Sequence, residues 1–302
     1  MRYQTTAADR APAPASYQTE RRYLGYKDAD YAQPYAKFFS STVATVQDHV
    51  IEAAALGHFP AEFGYSIDDA ARRMSRPGYE SMETGYTRLA DGRVLVSVLT
   101  RMPGVTAEMW DWWFGWHGTE TARYKLWHPE AHYYSGMGED RSSNRSLTDK
   151  ERYIGNVSYV DEYLGADASP LTVRFIAPTE LGFDDPKPGS TIIAARGGFS
   201  TLPISFAWLI HQIRPTDEGC EMRSRFFVND LQILRLPAAS VTSVKGRVLA
   251  GPIGRAVEPL ARRFGGVKAD QFGPAMVMHC AQEMNHLARF LPELHAEFRN
   301  TP

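Results

Sequence analysis

The spacing of apolar residues divides the chain into a helical first part, a strand-rich middle and a helical last third. Apolar residues recur at helical spacing from Asp28 to Leu56, and a Ser-x-x-Asp cap opens a second short helix over Ser66–Met74. The residues before Asp28 are polar and include an Ala-Pro repeat. This composition predicts a flexible N-terminal arm over residues 1–27, which can still dock on a partner subunit.

The middle of the chain contains seven short β-prone runs with no long helix between them, which predicts an antiparallel sheet. The runs are Arg93–Thr100, Tyr124–Trp127, Asn156–Leu164, Leu171–Ala177, Ser190–Ala195, Ile204–Ile213 and Glu221–Val228. Helical spacing returns over 239–263 and 268–298. We therefore expect an α+β helix-grip fold, in which a long C-terminal helix lies across a curved sheet and closes a cavity. The expected parts are the arm (1–27), an N-terminal helical part (28–90) and a helix-grip catalytic domain (91–302).

Composition narrows the functional class. The net charge of −2 gives no reason to expect nucleic acid or an anionic membrane as a partner. No apolar run of about eighteen residues and no signal pattern is present, which predicts a soluble, cytoplasmic protein. The two cysteines, Cys220 and Cys280, have no CxxC spacing, so a disulfide framework or a thiolate zinc site is not expected.

The strongest chemical signal is a histidine and a glutamate four residues apart in the C-terminal helix. His279 and Glu283 lie one turn apart on the same face. The same stripe is otherwise mostly apolar, and a carboxylate is costly to bury there unless it is paired or coordinated. The pair therefore indicates either half of a metal site or a Glu–His hydrogen bond at a domain or subunit contact. His286, one turn further on, could support such a site.

Two upstream segments offer further ligands. Strand alternation places Glu162 on one face with Val160 and Leu164, which favours an inward carboxylate, although a solvated one is equally consistent. His128 and His132 share their parity with Tyr124 if that segment is extended, and either could be the third ligand.

Two other features have both a structural and a functional interpretation. His211 shares strand parity with apolar residues, as a hydrogen-bonded core histidine does, but an imidazole on a concave sheet face could also be catalytic. Four of the six tryptophans fall within residues 110–116. This cluster indicates core packing, or alternatively the wall of a pocket for an aromatic substrate.

Four segments together resemble the 2,4-diacetylphloroglucinol hydrolase and phloretin hydrolase family. They are residues 112–118 (Trp-Trp-Phe-Gly-Trp-His-Gly), 123–132 (Arg-Tyr-Lys-Leu-Trp-His-Pro-Glu-Ala-His), 160–163 (Val-Asp-Glu-Tyr) and 279–287 (His-Cys-Ala-Gln-Glu-Met-Asn-His-Leu). The resemblance extends over roughly residues 28–298. It implies a Bet v 1-like helix-grip fold and zinc-dependent hydrolysis of the C–C bond between a polyhydroxylated ring and its acyl group.

The resemblance also implies roles for particular residues. The zinc ligands it indicates are His132, Glu162, His279 and Glu283. His132 is preferred to His128 because the family's substrate-binding tyrosine precedes its first ligand at the spacing of Tyr124 to His132. Tyr124 would then bind a ring hydroxyl, and His211 would be the catalytic histidine, acting as acid, base or oxyanion partner.

The chain departs from the family pattern at two places. Every tyrosine lies at or before Tyr163, so a second substrate-binding tyrosine of the diacetyl-substrate members is missing. Phe226 or Phe227 stands near that place, and Phe227 is taken here as the substrate contact. Ser135 stands where an asparagine is expected and is also taken as a substrate contact. Both changes leave the substitution pattern of the ring and the acyl group open.

The sequence therefore predicts a zinc enzyme acting on a small aromatic ketone, with no nucleic acid or membrane partner. Two rival interpretations stay open: a non-enzymatic helix-grip carrier of aromatic ligands, and a mononuclear iron oxygenase-like enzyme. Aromatic residues in the N-terminal helical part, Tyr31 and Tyr35, are expected to be exposed and to make a homodimer plausible.

Overall fold

An antiparallel sheet of eight strands forms the centre of the protein. The computed structural model describes residues 1–264 and 266–301. The strands are β1 (Gly85–Arg88), β2 (Val94–Pro103), β3 (His132–Met137), β4 (Val157–Leu164), β5 (Asp167–Ile176), β6 (Thr191–Phe199), β7 (Ile204–Thr216) and β8 (Gly219–Ile233). Their order in the sheet is β1-β2-β8-β7-β6-β5-β4-β3, and every neighbouring pair is antiparallel.

The helices surround this sheet. The α-helices are α1 (Ala7–Arg10), α2 (Ser16–Thr19), α3 (Asp48–Leu56), α4 (Ile67–Met74), α5 (Ala107–Trp116), α6 (Thr121–Trp127), α7 (Asp149–Tyr153), α8 (Val244–Leu249), α9 (Pro252–Phe264), α10 (Ala269–Ala288) and α11 (Leu291–Phe298). Short 3₁₀ helices span Asp30–Ala32, Ala36–Phe38, Ala61–Phe63, His117–Thr119, Pro178–Leu181 and Ala238–Ser240. Among the helices of the described residues, none is both long enough and apolar enough to cross a membrane.

The long helix α10 packs across β1 and β2 and also contacts β4 and α6. This arrangement confirms the predicted α+β helix-grip class. Strand alternation gives the sheet two buried faces. The inner face packs against α5, α6, α10 and α11 in the larger core, and the outer face packs against α4 in a second core. The cavity lies on the inner face.

The helix predicted over Asp28–Leu56 is mostly wrong. Only α3, from Asp48 onward, is α-helical, and two 3₁₀ turns precede it. Pro34 cannot donate a helical hydrogen bond, and the run after Phe39 is rich in serine and β-branched residues, which disfavour helix. Tyr35 is buried at 1% exposure, so the prediction that it is an exposed aromatic is also wrong, whereas Tyr31 is 60% exposed.

The strand predicted over Tyr124–Trp127 is wrong as well, because these residues lie in α6. Aromatic side chains raise β-propensity locally, but here they pack as one turn of helix against the core. The strand β3 that follows was missed, since its sequence contains a glycine and no β-branched residue. The predicted helix over Ser66–Met74 is confirmed, with Ser66 at the N-cap of α4.

The predicted N-terminal arm lies against the rest of the protein. Tyr3 donates its backbone N–H to Gln232 Oε1 (3.0 Å). Asp9 is buried and pairs with Arg174 (2.8 Å). Further along, Arg22 pairs with Asp161 (2.7 Å). These contacts hold the arm along the sheet of its own chain, and the division of the chain into three parts stays a prediction.

Candidate metal centre and its cavity

The register of two strands and the pitch of one helix bring four side chains together. His132 begins β3, and the pairing of β3 with β4 places it directly opposite Glu162. A bulge follows at Tyr133, because Tyr134 pairs with Asp161, the residue before Glu162. From the other side, α10 presents His279 and Glu283 one turn apart.

The four ring and carboxylate groups converge at one end of the cavity. His132 Nε2 lies 3.7 Å from Glu162 Oε2 and 3.5 Å from Glu283 Oε2. His279 Nε2 lies 3.8 Å from Glu162 Oε1 and 3.7 Å from Glu283 Oε2. Ligand atoms of His132, His279 and Glu283 all lie within 4.8 Å of one another. The structure therefore brings together all four residues that the resemblance indicated as ligands.

The electrostatics of this group suit a bound cation. Burial raises the pKa of Glu162 to about 7, although the hydrogen bond from Tyr124 opposes the rise. Burial, and then the charge of Glu162, raises the pKa of Glu283 well above its ordinary value. The ion-pair partners of both acids are the two histidines, and burial lowers the pKa of each histidine. A divalent ion would balance the two buried carboxylates.

Hydrogen bonds behind the histidines direct their free nitrogens at the acids. His132 Nδ1 lies 3.0 Å from the carbonyl oxygen of Tyr124. A carbonyl only accepts, so Nδ1 carries the proton and Nε2 keeps its lone pair. His132 Nε2 is buried and has no hydrogen-bond partner in the described part of the chain. His279 makes a similar hydrogen bond to the backbone of Tyr163. Backbone bonds of this kind orient metal-binding histidines, so the residues present fit a bound metal ion.

The structure also separates the two histidines that the sequence left as alternatives. His128 Nε2 lies 3.3 Å from Gln282 Oε1. Its ring stacks on His279, with centroids 5.0 Å apart, but it makes no ion pair with either acid within the described ranges. His132 is the histidine that contacts both acids. Gln282, which holds His128, was not singled out from the sequence.

The cavity beside the metal centre is largely apolar and aromatic. Its volume is about 120 Å³, close to that of cavities of about 150 Å³ that accept benzene. Aromatic rings from α5, α6, β5, β7, β8 and α10 line it, namely Phe114, Tyr124, Trp127, Phe175, Phe206, Phe226 and Phe272. Polar side chains are few, and they include Glu162, Glu283 and the histidines His117, His211 and His279. A small polar aromatic molecule is the kind of ligand this surface suits.

Two predicted catalytic residues line the cavity. Tyr124 stacks on His132 with ring centroids 3.7 Å apart, and its hydroxyl donates a short hydrogen bond to Glu162. His211 lies on the inner face of β7, as its strand parity predicted, and burial lowers its pKa to about 3. Its Nδ1 lies 2.7 Å from the hydroxyl of Ser224.

The two substrate contacts predicted where the chain departs from the family pattern, Phe227 and Ser135, are not among the cavity-lining residues. Phe227 belongs to the outer core, where its ring meets Tyr65 edge to face. Because neighbouring residues of a strand face opposite ways, Phe226 is the one that lines the cavity, and the choice of Phe227 is corrected. Ser135 is buried, and its hydroxyl donates to the carbonyl of Gly118 (2.9 Å). It is not among the residues found to line the cavity.

Comparison with known proteins places this arrangement in a family. The family model described as "DAPG hydrolase PhiG domain" matches residues 65–296, which is more than half of the chain. The chain belongs to the DAPG hydrolase family.

Curated relatives agree with this family assignment. The chain is 28% identical over 288 residues to 2,4-diacetylphloroglucinol hydrolase from Pseudomonas protegens, covering 92% of this chain and 89% of that protein. It is 26% identical over 284 residues to phloretin hydrolase from Eubacterium ramulus, covering 92% and 95% respectively. Among solved structures, a norcoclaurine synthase mutant from Thalictrum flavum aligns over 67% of this chain and 96% of that chain at 14% identity. The TM-score of this alignment is 0.33.

In this member of the DAPG hydrolase family, the tryptophan cluster is core and one neighbouring histidine was missed. Trp110, Trp112, Trp113 and Trp116 are all buried in the larger core, which confirms the packing interpretation. The cavity wall takes Phe114 and Trp127 instead. His117 also lines the cavity, although no pattern in the sequence had pointed to it. The sequence feature that could have identified His117 is its position directly after the tryptophan-rich helix α5, which places its ring against aromatic neighbours.

Proposed function

We propose that this protein is a zinc-dependent hydrolase that cleaves the C–C bond between a phloroglucinol-type ring and its acyl group. The observation that carries the proposal is the convergence of two imidazoles and two carboxylates at one end of an aromatic cavity. The names of its relatives support diacetylphloroglucinol or phloretin as the class of substrate. The net reaction adds water, with the hydroxyl going to the acyl carbon and hydrogen to the ring carbon.

The nitrogen and oxygen donors suit zinc, and the same donors can also bind iron or manganese. The residues that would hold the ion are His132, Glu162, His279 and Glu283. When bound, zinc would supply Lewis-acid polarisation of the acyl carbonyl and a lower pKa for water.

Tyr124 orients the ring. Burial, and then the charge of Glu162, raises the pKa of Tyr124 well above its ordinary value, so the phenol stays protonated. Its hydroxyl donates a hydrogen bond to Glu162. The phenol oxygen is then free to accept a hydrogen bond from a ring hydroxyl, which fixes the ring relative to the metal centre.

His211 moves a proton. Its imidazole is buried and neutral, and its partner Ser224 has a hydroxyl that can either donate or accept. A neutral imidazole can take the proton of a ring hydroxyl and return it to the ring carbon that bears the acyl group. That carbon then becomes tetrahedral and the ring becomes a ketone. Once water has added its oxygen to the acyl carbon, the bond from this carbon to the ring can break, because its electron pair returns to the ring as an enolate that the neighbouring carbonyl stabilises. The remaining proton of the water restores the ring hydroxyl, and the acyl group leaves as a carboxylic acid.

Zinc analysis together with turnover of 2,4-diacetylphloroglucinol and phloretin tests the metal assignment. His279→Ala and Glu283→Ala should each lose zinc and turnover together. His58→Ala is a matched control, because His58 is 66% exposed and lies outside this cavity. Retained zinc with full turnover in both site variants would remove these residues from the metal centre.

The variant His211→Ala separates proton transfer from metal binding. Zinc should stay while kcat falls by about 100-fold or more. Loss of zinc instead would show that His211 has a different role. Turnover without O₂ or a reductant separates the hydrolase from an iron oxygenase, and any turnover excludes a simple carrier. The homodimer and the cytoplasmic location stay predictions.

A further inference from the structure

His117 is a cavity histidine that the metal centre and the proposed proton transfer leave unused. It follows α5 directly and lies at the start of a 3₁₀ turn. Only 4% of the residue is exposed, yet it lines the same cavity as Tyr124 and His211. A buried imidazole is costly unless its nitrogens have partners. The role of His117 therefore depends on the hydrogen-bond partners of its two ring nitrogens.

The backbone fixes the tautomer of His117. Its Nδ1 lies 2.7 Å from the carbonyl oxygen of Trp113. The carbonyl accepts only, so Nδ1 carries the proton and Nε2 presents a lone pair. No hydrogen bond to Nε2 is found across residues 1–264 and 266–301, and Nε2 is not among the fully enclosed atoms without a partner. The remaining polar atom of His117 is therefore an acceptor that a molecule in the cavity can reach.

His211 offers an instructive contrast within the same cavity. Its Nδ1 meets the hydroxyl of Ser224, which can donate or accept, so either tautomer of His211 is possible. A ring that can change tautomer suits proton transfer. His117 is held in one tautomer and remains neutral, because burial lowers its pKa to about 4. A fixed acceptor suits recognition of a donor instead.

Aromatic neighbours hold the His117 ring in place. It stacks on Trp113 with centroids 4.7 Å apart and an interplanar angle of 13°. Tyr124 lies nearly parallel at 5.9 Å, and Trp127 meets the ring edge to face at 5.3 Å. A ring confined in this way presents its lone pair in one direction, which is the condition for geometric selectivity.

We propose that His117 Nε2 accepts a hydrogen bond from one hydroxyl of the substrate ring and so requires a free hydroxyl at that ring position. This inference rests on the proposed function, and it adds a selectivity residue to it. A polyhydroxylated ring carries donors that an acceptor-only nitrogen can pair with. An ether at the same position has no proton and adds a methyl group, so it leaves the nitrogen unpaired in an apolar cavity.

The test uses the zinc-loaded enzyme with monoacetylphloroglucinol and its separate monomethyl ethers. The wild-type enzyme should discriminate against one ether by about tenfold or more in kcat/KM. His117→Phe keeps the flat ring but removes the acceptor, so KM for the parent should rise about tenfold with kcat nearly unchanged. The same variant should lose the discrimination between that ether and the parent. His117→Gln, whose amide can donate to the carbonyl and accept from the ligand, should restore part of both effects.

His295→Phe is the matched control, since His295 meets Trp112 edge to face and is not among the cavity-lining residues. It should leave KM and ether discrimination unchanged. Equal treatment of all monomethyl ethers by the wild-type enzyme would overturn the proposal, and so would an unchanged KM in His117→Phe with normal zinc content. The wild-type comparison holds even if a variant does not fold.

Binding of phloroglucinol, the free ring, distinguishes this proposal from the proposed hydrolysis. Calorimetry should show about tenfold weaker binding to His117→Phe than to the wild-type enzyme. If phloroglucinol binding depends on His117 but no acylphloroglucinol is cleaved, the proposed hydrolysis is refuted and the acceptor role of His117 stands. If acylphloroglucinols are cleaved but the wild-type enzyme and His117→Phe bind phloroglucinol equally, the acceptor role of His117 is refuted and the proposed hydrolysis stands.

Discussion

Two clusters of buried charge lie on opposite faces of the sheet, and they are balanced in opposite ways. The outer cluster consists of Glu83, Arg223 and Arg225. Arg223 Nη2 lies 2.6 Å from Glu83 Oε1, and Arg225 makes a shorter bond to the other carboxylate oxygen. On the inner face, the metal centre places two carboxylates beside two neutral imidazoles.

The sign of the neighbouring charge decides the behaviour of each acid. Burial alone raises the pKa of Glu83, but the hydrogen bond from Arg223 and the charges of Arg225 and Arg223 outweigh it and lower the pKa to about 2. Burial raises the pKa of both Glu162 and Glu283, and the ion-pair partners found for them among the described residues are two histidines, not arginines. The charges of the outer cluster are thus balanced within the protein, whereas those of the inner cluster would be balanced by the proposed metal ion. On this proposal the outer cluster stabilises the fold and the inner cluster serves the reaction.

The largest effect should come from breaking the outer cluster. Glu83→Gln leaves two buried guanidinium groups without their carboxylate, and the free energy of unfolding should fall by about 3–5 kcal/mol. Urea unfolding measures the change. Glu297→Gln removes only an exposed partner of Lys37, where solvent screens the charges, and should change the free energy of unfolding far less. Equal costs for the two substitutions would show that burial does not distinguish these pairs.

The same cluster should give the protein an acid-sensitive stability. The folded pKa of Glu83 lies below its ordinary value of 4.5, so the folded state binds fewer protons than the unfolded state between about pH 2 and 4.5. The stabilisation is present above pH 4.5 and is lost as pH falls toward 2, to a total of roughly 3 kcal/mol. Comparing wild-type protein with Glu83→Gln cancels other titrations. Parallel pH profiles would contradict the assignment.

Removing the proposed metal ion should lower the free energy of unfolding through its loss from the inner cluster. A ligand that binds only the folded state stabilises it by about 2.7 kcal/mol at 100 times its Kd. Chelation should therefore lower the free energy of unfolding by about that amount in the wild-type protein. Glu283→Gln should abolish the difference and, without metal, should unfold within about 1 kcal/mol of the metal-free wild-type protein. A large loss of stability in the metal-free variant would mean that Glu283 has a structural role like that of Glu83.

The smallest effect concerns two neighbouring residues of one strand. Phe227→Leu loosens the outer core and should cost about 1 kcal/mol of stability while leaving KM unchanged. Phe226→Leu reshapes the cavity wall and should change KM with a smaller loss of stability. Thermal unfolding and steady-state kinetics on both variants measure this contrast. The reverse pattern would place Phe227 at the cavity, as the sequence alone had suggested.

The sequence by itself predicted most of the sheet and, through the family resemblance, the proposed ligand set. Helix pitch placed His279 and Glu283 on one face, and strand alternation showed which neighbours share a face with Glu162 and with His211, because these periodicities are fixed by local backbone geometry. The four motifs then indicated the family that the comparison confirmed. Local rules were sufficient for the long helix and for most of the strands, where propensity and packing agree.

Only the tertiary structure decided the rest. Tyr124 forms part of a helix despite its β-prone neighbours, because packing against the core outweighs a propensity of about 1 kcal/mol or less. The choice between Phe226 and Phe227 depended on which sheet face meets α10, and that is set by distant segments. His117 became visible only once its nitrogens could be assigned to Trp113 and to the cavity. Such facts depend on contacts between parts of the chain that no local pattern relates.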